Sequence, residues 1–261
     1  MKASLSMESY YYARILNRKA GFLPSDFRNM QVVTDLWICE CRVPTVPTAI
    51  LALVNLTSLH IETCTGLRTL PDGLETLRLQ RLDIRCCQDF AMLPTCVTRI
   101  KTLRVLEIAG CKAFTSLPSS IGDLTELRHL TVTSRSEQIA SSFTGIPDSI
   151  GRLQQLESIS FSFCPALQRL PRTLLSLSSL RELNLNGCPA LLLETWMVYI
   201  RERVDLIVGP SVDMEQYRRV VMPQLAGCRL LTLLVAMRRR RQRSVPSEIW
   251  EHIYVYFLGG L

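Results

Sequence analysis

A period of 23 to 24 residues constrains this chain more than any other feature of its sequence. Pairs of apolar residues separated by one residue recur at Leu36/Ile38, Leu59/Ile61, Leu82/Ile84, Leu106/Ile108, Leu130/Val132, Ile159/Phe161 and Leu183/Leu185, with a degenerate Leu206/Val208 at the end. Successive pairs are spaced by 23, 23, 24, 24, 29, 24 and 23 residues. A unit this short cannot bury its own apolar face. Repeated in series it builds a continuous core by stacking, one strand per unit.

The rest of each unit is equally regular. Three residues past the second member of the pair stand Cys41, Cys64, Cys87, Cys111, Cys164 and Cys188, which are six of the ten cysteines. Stacked at about 4.7 Å per parallel strand, they form a ladder of small side chains whose weak S–H donors can turn inward to the backbone. Zinc binding would need C-x2-C pairs matched by a second pair, whereas Cys39-Glu40-Cys41 and Cys86-Cys87 have another spacing. After the prolines at 47, 94, 118, 147 and 171, apolar residues fall at +3, +6, +9 and +12, as in Val97, Ile100, Leu103 and Leu106. A three-residue period predicts a short helix or 3₁₀ segment leading into the next strand, with Pro in its first turn, where no amide donor is needed. The Pro71 unit keeps Leu74 and Leu77 and loses one residue before Leu82. A further apolar site lies four residues before each Pro, at Leu67, Phe90, Phe114, Phe143 and Leu167.

Three stretches depart from the period. Residues 1–31 read as an N-terminal cap or arm, with Ser9 to Leu16 as a helical segment and Phe22, Leu23, Pro24 and Phe27 covering the open end of the stack. Residues 32–210 hold seven to eight units, and within them 133–142 carries five extra, polar residues and places Arg135 where the ladder cysteine belongs. These residues predict an exposed loop. Trp196, Met197 and Ile200 would cover the far end. Residues 211–261 read as a basic helical extension: an apolar helix over 225–237, an arginine run, and a second helix over 245–258 opened by Pro246 and Ser247.

The formal net charge of +7 is largely a property of that run, because removing Arg238, Arg239, Arg240, Arg241 and Arg243 leaves +2. The remainder gives no reason to expect nucleic-acid binding. Glu8 interrupts the place where a secretory core would sit, and the apolar stretch 225–237 is shorter than the roughly 18 residues of a spanning helix. Reduced thiols and a cytosolic or nuclear location are therefore expected. His60, His129 and His252 come with no nucleophile motif such as G-x-S-x-G. Neither catalysis nor a cofactor is expected.

The full unit, L-x-x-L-x-I-x-x-C-x-x-F-x-x-L-P-x-x-I-x-x-L-x-x-L, resembles the leucine-rich repeat over about 180 of the 261 residues. Its form at Leu117 to Leu127, Leu-Pro-Ser-Ser-Ile-Gly-Asp-Leu-Thr-Glu-Leu, is similar to the intracellular repeats of plant disease-resistance receptors and Ras-group scaffold proteins. No G-x-x-x-x-G-K-[ST] nucleotide-binding motif occurs in the sequence. The resemblance implies an α/β solenoid, curved, with a parallel sheet on its concave side that binds other proteins.

On such a sheet the residues between and beside the strand leucines face outward. The expected partner-binding set is Trp37, His60, Glu62, Arg81, Asp83, Arg85, Glu107, His129, Thr131, Ser160 and Asn184, charged in the first half and uncharged in the second. Trp37 and the residues from 60 to 107 are the candidate anchors. The alternative is a solvated strand face with no dedicated partner. Near the C-terminus, Val245, Pro246, Glu248, Ile249, Ile253, Tyr256 or Phe257, and Leu258 are similar to the opening of an F-box, and the two helices around a basic turn resemble a suppressor-of-cytokine-signalling box. Either resemblance implies a cullin-type ubiquitin-ligase adaptor as partner. The alternative is a helical hairpin packed on the solenoid, its arginines solvated or forming a nuclear-import or anionic-membrane patch.

Overall fold

A computed structural model of the chain describes residues 4–9, 12–16, 32–134, 142–192, 194, 196, 197, 200 and 204–207. The chain divides into two compact units, Met1–Asp213 and Met214–Leu261. The apolar helix, the arginine run and the F-box-like segment predicted in the second unit lie outside the described residues, as do Phe22 to Phe27 and Arg135.

Each apolar pair from Leu36/Ile38 to Leu130/Val132 is built into a strand, and in the last two pairs, Ile159/Phe161 and Leu183/Leu185, the strand holds the first member and ends one residue before the second. In chain order the strands are β1 (Ser4–Ser9), β2 (Tyr12–Leu16), β3 (Asp35–Cys39), β4 (Ser58–Glu62), β5 (Arg81–Arg85), β6 (Val105–Ala109), β7 (His129–Thr133), β8 (Ser158–Ser160), β9 (Glu182–Asn184) and β10 (Asp205–Ile207). They form one sheet in the order of the sequence. All neighbours pair in parallel except β1 and β2, which form an antiparallel hairpin. Register follows the period, so that Leu36, Leu59, Leu82, Leu106 and Leu130 stand side by side. The first and second members of the pairs from Leu36 to Leu185 are buried. The degenerate last pair is weaker: Leu206 is only half-buried.

The return path of each unit runs through Thr48–Ala52, Leu74–Thr76, Ser119–Asp123, Asp148–Arg152 and Arg172–Ser176, all 3₁₀ helices, and through α1 (Thr95–Thr98), a single α-helical turn. The three-residue period is a hydrogen-bond period as well. Ile121 N–H donates to Pro118 O, Leu124 to Ile121 O and Leu127 to Leu124 O, at 2.9 to 3.2 Å. Every third residue turns its amide back along the chain and its side chain into the core. The prolines sit one place earlier than expected: Pro47, Pro94, Pro118, Pro147 and Pro171 are extended N-cap residues preceding the first turn. Proline's fixed φ suits this position, and its carbonyl accepts the first 3₁₀ bond.

Neighbouring 3₁₀ segments touch through backbone. A Cβ built on Gly122 would lie 2.2 Å from Ser149 O, so only glycine lets the units flanking the insertion approach this closely. On the core's other flank, Phe90, Phe114 and Phe143 stack with ring centroids 6.1 and 5.9 Å apart, and Phe161 continues the row at 5.6 Å from Phe143. The ladder thiols are buried and directed to backbone carbonyls: Cys64 Sγ lies 3.5 Å from Ile38 O and Glu62 O, and Cys188 Sγ 2.9 Å from Phe161 O. Burial pushes the Cys111 thiol up to about 12. None of the nine described cysteines is joined in a disulfide.

The N-terminal segment differs from the expected helix. Tyr12–Leu16 is a strand whose Ala13 and Ile15 pair with Leu36 and Ile38, 23 residues on, so the period starts one unit earlier than the leucines reveal. The unpaired N–H and C=O groups on the edge of β3 favour a strand there, and β1 then covers β2. Trp196, Met197 and Ile200 are buried at the other end of this unit. No helix among the described residues is long and apolar enough to cross a membrane.

Candidate functional site

The sheet's open face carries the outward columns, and register decides which of their members meet. The central column runs Trp37, His60, Asp83, Glu107, Thr131, Ser160 and Asn184 on adjacent strands. Arg81 and Arg85 flank Asp83 two residues away on β5 and therefore share its face.

In the first half these side chains form one bonded cluster. The rings of Trp37 and His60 stack across β3 and β4, centroids 4.1 Å apart and 14° from parallel. His60 Nδ1 lies 2.8 Å from Asp83 Oδ2. The same oxygen accepts from Arg81 Nε at 2.9 Å and Arg85 Nη2 at 3.4 Å, and Arg85 Nη2 also donates to Glu107 Oε2 at 2.7 Å. Arg81 Nη2 is 3.7 Å from that glutamate oxygen. Glu62 stands opposite Arg85 in register.

These are not the solvated strand residues that an outward position suggests. The Asp83 side chain is only 2% exposed and that of His60 10%; the Trp37 ring stacks on the imidazole, and both guanidiniums bond the carboxylate. Burial pushes the Asp83 carboxyl up, but hydrogen bonds from His60 and Arg81 outweigh it and hold the group below the usual carboxylate range. The Glu107 carboxylate raises Arg85 further above its ordinary value. Asp83 Oδ1 and Arg85 Nε are buried without a hydrogen-bond partner, so the cluster is held tightly yet incompletely satisfied. Cys39, which alternation also placed outward, is buried at the edge of this cluster.

The second half is looser. His129 is exposed and its Nδ1 lies 2.8 Å from Ser158 Oγ. Ser162 Oγ lies 3.1 Å from Thr133 Oγ1 and 3.2 Å from Ser160 Oγ, while Asn184 Oδ1 accepts the Asn186 backbone N–H at 3.0 Å. Thr131 and Ser160 are half-buried between them. At the lip of this half Arg128 pairs with Glu157 at 2.7 Å. Ser134, buried, donates its hydroxyl to Phe163 O at 2.7 Å and so ties the irregular unit to the next. Thr133 and Ser162 stand in the outward columns that alternation predicts, but their contact and the Ser134 bond are not legible in the sequence, because the 29-residue step hides which hydroxyls face each other. The arginines from Arg238 to Arg243 lie outside the described residues.

What the arrangement can do chemically is present fixed, polar and aromatic side chains on a concave surface. The comparisons with known proteins agree with that architecture. No protein-family model matches the chain. It is 35% identical over 203 residues, 75% of its length, to the Arabidopsis thaliana protein SUPPRESSOR OF npr1-1, CONSTITUTIVE 1, and spans 13% of that relative's length. Among solved structures it is similar to the leucine-rich repeat domain of the type III effector XopL, with a TM-score of 0.61 at 20% identity, covering 78% of this chain and 70% of that one. It is also similar to the Toll–Spatzle complex of Drosophila, with a TM-score of 0.57 at 17% identity, covering 79% of this chain and 28% of that one. These likenesses carry the fold, and with the 23- to 24-residue period and the sequential parallel sheet they lead to one conclusion: this chain has the leucine-rich repeat fold.

Proposed function

We propose that the concave sheet of residues 32–210 is a docking surface for another protein and that the chain works without catalysing a reaction. The observation that carries this reading is the bonded cluster of Trp37, His60, Arg81, Asp83, Arg85 and Glu107, with Glu62 beside it, spread over four strands of an open sheet face. Side chains already immobilised by one another lose little conformational entropy when a partner covers them. His129, Thr131, Ser160 and Asn184 extend the surface with groups that both donate and accept. Residues 1–31 would act as the N-terminal cap and 211–261 as an extension in the cytosol or nucleus. No cofactor enters the reading.

The test is recovery of bound proteins by the full chain, compared with the Trp37→Ala and Arg85→Ala variants. Proteins retained equally by all three chains count against the concave surface. The second reading, a ubiquitin-ligase substrate receptor, rests on Val245, Pro246, Glu248, Ile249, Ile253 and Leu258 in the extension. A chain ending at Pro210 would then lose cullin adaptors while keeping the partner held by the repeats. A third reading gives the arginine run an anionic surface or nucleic acid. Binding of polyanions that survives replacement of Arg238 to Arg243 would refute it.

A further inference from the structure

We infer, building on the docking surface proposed above, that its charged half takes an uncharged partner segment presenting a flat aromatic side chain, which stacks on the guanidinium planes of Arg81 and Arg85 beside the Trp37–His60 pair.

The argument begins with what the arginines have already committed. Arg81 bonds Asp83 through Nε and Arg85 bonds Asp83 and Glu107 through Nη2, so both guanidiniums use their in-plane edges inside the cluster. In-plane bonds leave the faces of the planar cation for stacking. Those side chains remain accessible, 39% exposed for Arg81 and 29% for Arg85, while the carboxylate between them is buried. Charge decides the rest. Two guanidiniums are matched by the carboxylates of Asp83 and Glu107 that they bond, and Glu62 beside Arg85 leaves the patch within one charge of neutral. An incoming carboxylate would compete with Asp83 and Glu107 for donors already engaged, and an incoming ammonium would meet the two guanidiniums. Neither gains what it loses on leaving water. An aromatic ring gives up little hydration and gains cation–π and stacking contact. From β3 to β6 the patch spans about 14 Å at the spacing of parallel strands, room for a short extended segment across the strands.

The experiment selects a random 12-residue peptide library against the full chain and measures the affinity of the enriched peptides by fluorescence polarisation. The expected result is enrichment in Trp, Tyr or Phe, without an excess of Asp, Glu, Lys or Arg. Arg85→Lys, which keeps the charge and loses the plane, should then weaken binding by about 5- to 30-fold. Trp37→Ala should weaken it too, while Arg152→Ala, on the opposite side of the solenoid, should not. Circular dichroism melts show that each variant is folded. Enrichment of charged peptides, no enrichment, or full affinity in Arg85→Lys overturns the inference. Peptides lost on changing Ser160 or Asn184, yet indifferent to Arg85 and Trp37, overturn it while leaving the docking surface standing. Indifference to every concave substitution overturns both.

Discussion

The two halves of the sheet are built from one repeat and behave as different surfaces. From β3 to β7 the period stays at 23 to 24 residues, neighbouring strands pair over five residues, and charged side chains bond across three strands. After β7 the step is 29 residues, pairing contracts to three residues, and the open face carries hydroxyls and amides bonded in short local contacts. Yet the core passes through the break. Phe143 stacks between Phe114 and Phe161, and Gly122 keeps the 3₁₀ segments on either side in backbone contact. The insertion thus costs the sheet some width and leaves the interior continuous. Face and core are separable in this fold, and changes at the break should be felt by one without the other.

Two substitutions attack the core where the face is interrupted. Phe143→Ala removes a fully buried ring from the middle of the aromatic row and should lower stability by about 3–5 kcal/mol in chemical denaturation. If the second half were only loosely attached, the cost would fall well below that of Phe90→Ala in the regular half. Gly122→Ala tests the opposite wall. A methyl group 2.2 Å from Ser149 O must push backbone rather than a side chain, and about 3 kcal/mol is expected at the upper end of overpacking costs. A neutral result would mean that the units flanking the insertion are not in contact there.

Asp83 measures what the charged half adds. Asp83→Ala leaves His60, Arg81 and Arg85 without their shared acceptor. Because both arginines are partly exposed and can be rescued by water, the loss should be about 2 kcal/mol, below the range for a fully buried pair. The pH dependence has a definite sign. The folded carboxyl is held below its unfolded value of about 3.9, so its contribution is present above that pH and disappears as pH falls through the lower, folded value. Denaturation midpoints between pH 7 and pH 3 should therefore fall less steeply in Asp83→Asn than in the natural chain. Parallel curves would show that the carboxylate contributes nothing through ionisation.

How much of this was readable follows from which facts depend on period alone. Leu106, Ile108, Cys111 and Leu127 are fixed by the repeat, and the structure places them in strand, ladder and core accordingly. Trp37, His60, Asp83 and Glu107 share a column for the same reason. That His60 and Asp83 are buried was not readable, since it depends on the rotamers that bring the Trp37 ring onto His60 and the two guanidiniums to Asp83. Tyr12–Leu16 was misread because a strand with Ala13 where leucine belongs carries little signal, although its offset of 23 residues from Leu36 keeps the period. The Ser134 hydrogen bond was hidden by the insertion, which removes the rule that aligns one unit with the next.

The smallest effect concerns the turn after each strand. Glu40, Thr63, Cys86, Gly110, Phe163 and Gly187 occupy one repeat position, two residues past the second apolar member, and all have φ between 54° and 73°. Four of the six are not glycine and bear the steric cost of a left-handed backbone, about 1–2 kcal/mol each. Thr63 is exposed and β-branched, so Thr63→Gly removes that strain with little packing to lose. Glycine's greater freedom in the unfolded chain returns about 0.5–1 kcal/mol of the gain, leaving a net stabilisation of roughly 0.5 kcal/mol. The reverse change should be asymmetric between the halves. In Gly187→Ala the new Cβ would meet the Phe163 ring at 2.5 Å in addition to the strain, so the loss should exceed the Thr63→Gly gain several-fold in thermal melts. Equal and opposite shifts would mean that only backbone conformation, and not the packing of one unit on the next, sets the cost of this turn.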